Sequence, residues 1–281
     1  MKKISKILCM LLCLAMIFAL CACGAKEKTY ANELEKIKGT GVLTVAMSPD
    51  FAPMEFTDPS KTGQDQYVGF DVSLSQYLAE YFGVKLEIVP MSFDACPTAV
   101  SSGTVNMSIS GFSWKPDRAE NFELSDPYYA GDNETEQCLL IRAADADKYK
   151  DAADFTGVAV GAQNSSLQQT LVEEQLPDAN LQIFGDIGVG VMELQQGNLE
   201  AIAVAKGNGE QIIANNKDLM LCTWEFEVAA EYENNVVMIA KGQTELLAAV
   251  NDALAKAYAA GYYGTWYNDA LALAAELGEI E

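Results

Sequence analysis

The sequence predicts an α/β protein built as two lobes. Three observations carry this. Strand-like and helix-like segments alternate, the alternation runs twice along the chain, and the C-terminal strand and helical tail have no sheet of their own. Alternating strands and helices imply βαβ units around a largely parallel sheet.

The first module opens with "GVLTVAM" from Gly41, a short β-rich run. "GFDVSLSQYLAEYFG" then carries Phe70, Leu74, Tyr77, Leu78 and Tyr81 at helical spacing and closes on Gly83. "VKLEIVPM" reads as a strand, "FDACPTAVSSG" as a helix closed by Gly103, and "VNMSISG" as a strand. The second module runs "FTGVAVGAQ", "SSLQQTLVEEQL", "LQIFGD", "VGVMELQQGN", "LEAIAVA" and "GNGEQIIANN", strand and helix by turns. "NNVVMIAKG" is a strand that needs partners, and the helical tail after it must pack on an existing lobe. The expected division is a signal segment at 1–22, a polar tether at 23–38, lobe 1 at 39–135, lobe 2 at 136–226, and a return to lobe 1 at 227–281.

The N-terminus reads as an address. "MKKISK" is basic and the apolar run from Ile7 to Leu20 has 14 residues, too short to span a bilayer comfortably. "LCAC" resembles the lipobox of bacterial lipoproteins, with an unusual Cys21 in its middle, so Cys23 is the expected site of lipidation. Two acyl chains there would tether the protein to a membrane through lipid alone.

Charge and composition exclude several functions. The chain carries 18 Lys+Arg against 40 Asp+Glu; without residues 1–22, which hold three lysines and no acid, the charge is 15 − 40 = −25. That balance argues against nucleic acid and against binding to anionic lipid. There is no histidine, which removes His-based triads, imidazole metal sites and His acid–base chemistry. No metal or other cofactor is expected. Cys96, Cys138 and Cys222 are too few and too widely spaced for a disulfide framework, though one Cys138–Cys222 bridge stays open.

Ligands of open α/β sheets bind beyond the carboxyl ends of the strands, and three such turns stand out. "SPDFAPMEF" presents Phe51. "SGFSWKPDR" presents Gly111, Ser113 and Arg118. After "VAVGAQ", Ser165 and Ser166 open a helix. Arg118 offers a planar fork suited to a carboxylate, Ser113 a hydroxyl, Gly111 a close approach of backbone N–H groups, and the helix start free N–H donors. Spacing alone favours reading Arg118 as a surface partner of Asp117 or Glu120, and the serines as N-caps.

From about Gly41 to Gly264 the chain resembles the family 3 extracellular solute-binding proteins, which serve amino-acid ABC importers. "GFDVSLSQYLAEYFG", "SGFSWKPDRAENFELSDPYY" and "QQGNLEAIAVA" carry the resemblance; Ser73 departs from an acid usual in the family. The resemblance implies two Rossmann-like lobes joined by two crossover strands, closing on a ligand at a hinge. It implies Phe51 and Phe93 as aromatic walls; Gly111, Ser113 and Arg118 on the ligand carboxylate; and the Ser166 N–H from across the cleft. Partners would be a small carboxylate, most simply an amino acid, and an ABC permease. The chain would act as a monomer on the outer face of a cell membrane or in a periplasm.

One departure stands out. Where the family has an aspartate for the ligand's ammonium, "EAIAVAKG" places Ala205, followed by Lys206. Glu55, Asp186 or an acid in "GDNETE" (Gly131 to Glu136) is a candidate substitute. Ser48 stands where receptors for basic amino acids have an acid. Two other readings are a cyclohexadienyl-dehydratase-like enzyme in the same cleft and an extracellular sensor that reports to a signalling receptor.

Overall fold

The computed structural model describes residues 29–128 and 136–278. The signal segment, residues 23–28 of the expected tether with Cys23, and residues 131–135 of "GDNETE" lie outside the described residues.

Lobe 1 begins earlier than the expected tether allows. Helix α1 (Glu33–Thr40) starts at Asn32, whose side chain accepts the Glu35 N–H at 2.9 Å, and it ends at Gly41 in the left-handed region. Ile37 on this helix is fully buried in the lobe 1 core. A capped helix with a buried isoleucine is part of the lobe, so 33–38 is not tether.

The other lobe 1 elements are β1 (Val42–Met47), β2 (Phe56–Thr57), β3 (Tyr67–Val68), α2 (Phe70–Phe82), β4 (Lys85–Pro90), α3 (Ala95–Ser101), β5 (Met107–Ser108), α4 (Pro116–Asn121) and β6 (Phe122–Leu124). On α2 the helical stripe buries Phe70, Leu74 and Leu78 completely, whereas Tyr77 is only partly covered and Tyr81 is exposed at its rim. Lobe 2 contains β7 (Gln137–Arg142), β8 (Ala159–Gln163), α5 (Leu167–Gln175), β9 (Asn180–Phe184), α6 (Ile187–Gln196), β10 (Ala201–Ala205), α7 (Lys206–Asn215) and β11 (Leu219–Glu225). The chain then returns as β12 (Met238–Ala240), α8 (Thr244–Ala259) and α9 (Tyr262–Gly278), with Gly261 (φ 74°) breaking the helical tail in two.

Each lobe holds a five-stranded sheet, β4-β1-β5-β12-β6 in lobe 1 and β11-β7-β10-β8-β9 in lobe 2. Neither is purely parallel. β12 runs antiparallel to β5 and β6, and β7 runs antiparallel to β10 and β11. The antiparallel pairings form where a strand follows a passage between lobes instead of a βαβ turn. β12, α8 and α9 join the lobe 1 core through Ile239, Leu246, Val250, Tyr263 and Tyr267, all buried. The two passages meet where the Tyr128 N–H donates to the Asn235 carbonyl at 2.9 Å.

No Cys138–Cys222 bridge forms. Cys138 packs with Leu140, Ile202 and Val204 on one face of the lobe 2 sheet, and Cys222 with Leu139, Ile141 and Phe155 on the other. Both thiols are free and buried.

Candidate ligand site in the interlobe cleft

The turn after β1, the turn after β5 and the start of α5 converge at the carboxyl ends of their sheets and line one cavity. Its walls include Asp50, Phe51, Glu55, Phe93, Ser110, Gly111, Ser113 and Arg118 from lobe 1. Lobe 2 contributes Gln163, Ser166, Leu167, Gln168, Ile187 and Ala203 to Ala205. A larger groove of about 1160 Å³ crosses the outer face of lobe 1 beside Tyr77, Tyr262 and Trp266. It gathers no set of buried polar groups, so the cleft is the candidate site.

The lobes are closed on one another. Asp50 Oδ2 accepts from Gln163 Nε2 and from the Ile187 N–H, each at 2.9 Å. Asn164 donates to Asp94 at 3.0 Å, Lys115 to the Thr170 hydroxyl at 3.0 Å, and Asn208 to the Ala52 carbonyl at 3.0 Å. The cavity left between them is about 30 Å³, room for about two waters. A solute therefore enters only as the lobes part.

Among the described residues, Arg118 is the cation in the cavity wall. Pro116 at the start of α4 favours the helical turn that presents it. Its guanidinium donates to the Ser113 carbonyl at 2.6 Å and, across the cleft, to the Ser165 carbonyl at 2.8 Å. It lies 5.1 Å from the Phe112 ring centre and 5.7 Å from that of Phe93, and those two rings stack at 4.4 Å. Among the described residues no carboxylate lies within ion-pair distance of it. Burial lowers its pKa to about 10, against a small opposing effect of Asp117. A buried guanidinium held by neutral carbonyls is short of an anion.

The acids are on the same lobe. Glu55 is fully buried and accepts the Ser110 hydroxyl at 2.6 Å. Burial first, and then the charge of Asp71, push its carboxyl well above the usual range. Asp71 lies behind it on α2, accepting the Gly111 N–H at 2.8 Å and the Tyr128 hydroxyl at 3.0 Å. Burial raises Asp71 to about 6 against those donors. Burial also raises Asp50, with the Ile187 N–H opposing.

Not every expected site residue contributes as the sequence suggested. Phe51, Phe93, Gly111, Ser113, Arg118 and Ser166 line the cavity, whereas Ser165 does not. The Ser165 N–H donates to Gln169 Oε1 at 2.8 Å, and its left-handed backbone (φ 64°) turns the carbonyl to Arg118. The Ser166 N–H donates to the Gln163 carbonyl at 3.3 Å and so is not a spare donor, whereas its hydroxyl accepts the Gln169 N–H as the cap of α5 and keeps its own O–H to donate. The unladdered N–H groups of α5 at the cavity belong to Leu167 and Gln168. Gly111 (φ 55°) is required sterically, since a Cβ there would lie 2.9 Å from the Phe51 ring. Sequence reading missed Asp50, Ser110, Gln163, Leu167, Gln168 and Ile187. Asp50 beside Phe51, and Gln163 at the end of β8, were the only signals on offer.

The model of the bacterial extracellular solute-binding proteins, family 3, matches residues 43–271. This chain belongs to that family.

Family 3 relatives and solved structures of this fold cover most of the chain. An amino acid ABC transporter substrate-binding protein of Streptococcus pneumoniae, solved with L-arginine, is 32% identical with a TM-score of 0.78, over 86% of this chain and 98% of that one. The L-cystine-binding protein TcyJ of Escherichia coli is 25% identical over 83% of this chain and 84% of its own length. The arginine-binding extracellular protein ArtP of Bacillus subtilis is 28% identical over 76% and 78%. An ancestral amino acid-binding protein, AncCDT-1, a precursor of cyclohexadienyl dehydratase, is 28% identical with a TM-score of 0.73, over 86% of this chain and all of that one. The two lobes together thus form the type II periplasmic-binding-protein fold.

Within this family 3 cleft, the departure at the end of β10 is a local change in chemistry. Ala205 lines the cavity, is 1% exposed and offers no side-chain cap to α7. Lys206 turns away, pairing with Glu136 at 2.6 Å and Glu225 at 3.2 Å. Asp186 caps α6 through the Val189 N–H and is not in the cavity wall. Among the described residues, Glu55 is the one expected substitute for the missing acid that lines the cleft.

Proposed function

We propose that this family 3 protein captures a free amino acid between its lobes and delivers it to an ABC importer. The observation that carries this reading is one cavity lined by a single buried guanidinium, Arg118, by two carboxyl groups, Asp50 and Glu55, and by the rings of Phe51 and Phe93. A zwitterion satisfies both ends at once: its carboxylate takes the fork of Arg118 and its ammonium faces the acids. The amino-acid ligands of the relatives support the same class. Lobe closure would follow from the ligand's preference for the closed form.

We further place the protein at the outer face of a membrane, anchored by lipid at Cys23, with an ABC permease as partner and no enzymatic turnover. Cys23→Ala should release it into the medium, and loss of the neighbouring permease should abolish uptake. The test of the ligand class is isothermal titration of residues 24–281, unfolded and refolded to strip carried-over solute. Standard amino acids are run beside their deaminated keto and hydroxy acids. Binding only to compounds with a free α-amine supports the reading; binding to the amine-free acids alone overturns it.

A second reading draws on Glu55, a cleft acid whose raised pKa suits proton transfer, and on the likeness to AncCDT-1. It is a dehydratase of cyclohexadienyl acids. Product formation from prephenate or arogenate tests it directly.

A further inference from the structure

Two buried carboxyls, Glu55 in the cavity wall and Asp71 behind it, have four oxygens whose partners do not add up. Glu55 Oε1 takes the Ser110 hydroxyl at 2.6 Å, and Asp71 Oδ2 takes the Gly111 N–H at 2.8 Å and the Tyr128 hydroxyl at 3.0 Å. Glu55 Oε2 and Asp71 Oδ1 are both buried with no donor, and the two carboxyls lie near enough for the charge of Asp71 to act on Glu55. Two neighbouring carboxylates, both ionised in a buried site, cost far more than a pair that holds one proton. The pair therefore holds one proton and a single negative charge.

The surrounding charges make Glu55 the focus. The groups that face it are Asp71 on α2, Asp50 and Ser110 on the turns after β1 and β5, and Arg118, which lines the same cavity. Asp50 is engaged by two donors of lobe 2 through Oδ2. At the end of β10, Ala205 has no polar side chain to offer. Among the described residues, Glu55 alone combines a place in the cavity wall, complete burial and an oxygen without a donor.

We propose that Glu55 receives the ligand's amine from the lobe 1 side of the cleft, the amine taking the place of the proton that Glu55 shares with Asp71. One proton leaves to solvent as one ammonium arrives, so the charge of the buried cluster is unchanged. The role normally given to an acid on lobe 2 is thereby moved to lobe 1. The inference rests on the amino-acid reading of the cleft above and names the residue that makes the cleft specific for an amine.

The experiment is titration calorimetry at pH 6 with the tightest binder among the twenty L-amino acids and L-cystine. It is run in buffers of different ionisation enthalpy, on the wild type and on Glu55→Gln, with thermal melting to confirm that the variant folds. The expected result is release of about one proton per ligand, lost in Glu55→Gln together with at least about tenfold in affinity. A binding enthalpy independent of buffer, or a folded Glu55→Gln variant that binds as the wild type does, overturns the inference while leaving the amino-acid reading intact. If no amino acid binds the wild type, the amino-acid reading fails first and the inference falls with it. Proton counting on the wild type decides the question even if the variant does not fold.

Discussion

Arg118 on lobe 1 donates to the carbonyl of Ser165 on lobe 2 across 2.8 Å, and Ser165 presents that carbonyl from a left-handed backbone at φ 64°. The two lobes are thus joined through the residue that carries the cleft's positive charge. A neutral carbonyl holds one arm of a fork that a carboxylate satisfies better. On the proposed reading of the cleft, closure and anion capture would depend on the same guanidinium.

Arg118→Ala should lose ligand affinity by about 2–5 kcal/mol, the range for truncating a buried charge partner, with circular dichroism showing the fold retained. Arg118→Lys should recover only a small part, because a point charge lacks the planar fork. Titration calorimetry of both variants checks this; wild-type affinity in either one removes Arg118 from the carboxylate site.

Gly111→Ala should cost stability and binding together. The residue has φ 55°, and the new Cβ would lie 2.9 Å from the ring of Phe51. Left-handed backbone alone costs an alanine roughly 1–2 kcal/mol, and the displaced ring disturbs the cavity wall. Urea unfolding reads the first loss and calorimetry the second.

The buried acids make stability depend on pH in an unusual sense for carboxylates. Asp50, Glu55 and Asp71 all have raised pKa values, Asp71 to about 6. A raised carboxyl contributes stability below its unfolded pKa, and the contribution is lost as pH rises through the folded value. Melting temperature should therefore fall as pH rises from about 4 through about 6 and beyond. Glu55→Gln should flatten this profile and gain relative to wild type at pH 8. A wild-type profile that rises over this range would contradict the assignment.

Lys206→Ala should leave affinity within about 0.5 kcal/mol, as for a surface substitution. The ammonium lies outside the cavity wall and pairs with Glu136 and Glu225. A large gain in affinity for amine ligands would instead mean that Lys206 opposes them from inside the cleft.

Cys138 and Cys222 should stay unmodified by alkylating reagents until the protein unfolds. Burial raises the Cys138 thiol to about 12, and Cys222 is buried on the opposite face of the sheet. Reductant should not move the melting temperature. A reductant-dependent shift would mean that a disulfide forms.

Much of the scaffold was legible because burial writes itself into spacing. Phe70, Leu74 and Leu78 fall on one stripe of α2, and Gly83 ends it in the left-handed region. β7 and β11 were not legible. "QCLLIR" and "LMLCTWE" lack a βαβ context, since their partners lie across an antiparallel register set by the passage between lobes. α1 was also hidden, as a polar stretch reveals its role only when Ile37 meets a core from elsewhere in the chain.

The sequence by itself determined the α/β alternation, the return of the tail to lobe 1, and the turns that bear Phe51, Gly111 and Arg118. These follow from local periodicity and from residue chemistry at strand ends. Only the tertiary structure decided which acids share the cleft with Arg118. Glu55 and Asp71 are 16 positions apart with nothing in their spacing to pair them, and Asp50 meets Gln163 from 113 positions away. The physical reason is that an acid's role is set by its burial and its donors, and both are supplied by elements distant in sequence. The same folding removed Ser165 from the wall of the cavity by spending its N–H on Gln169 and turning its carbonyl to Arg118.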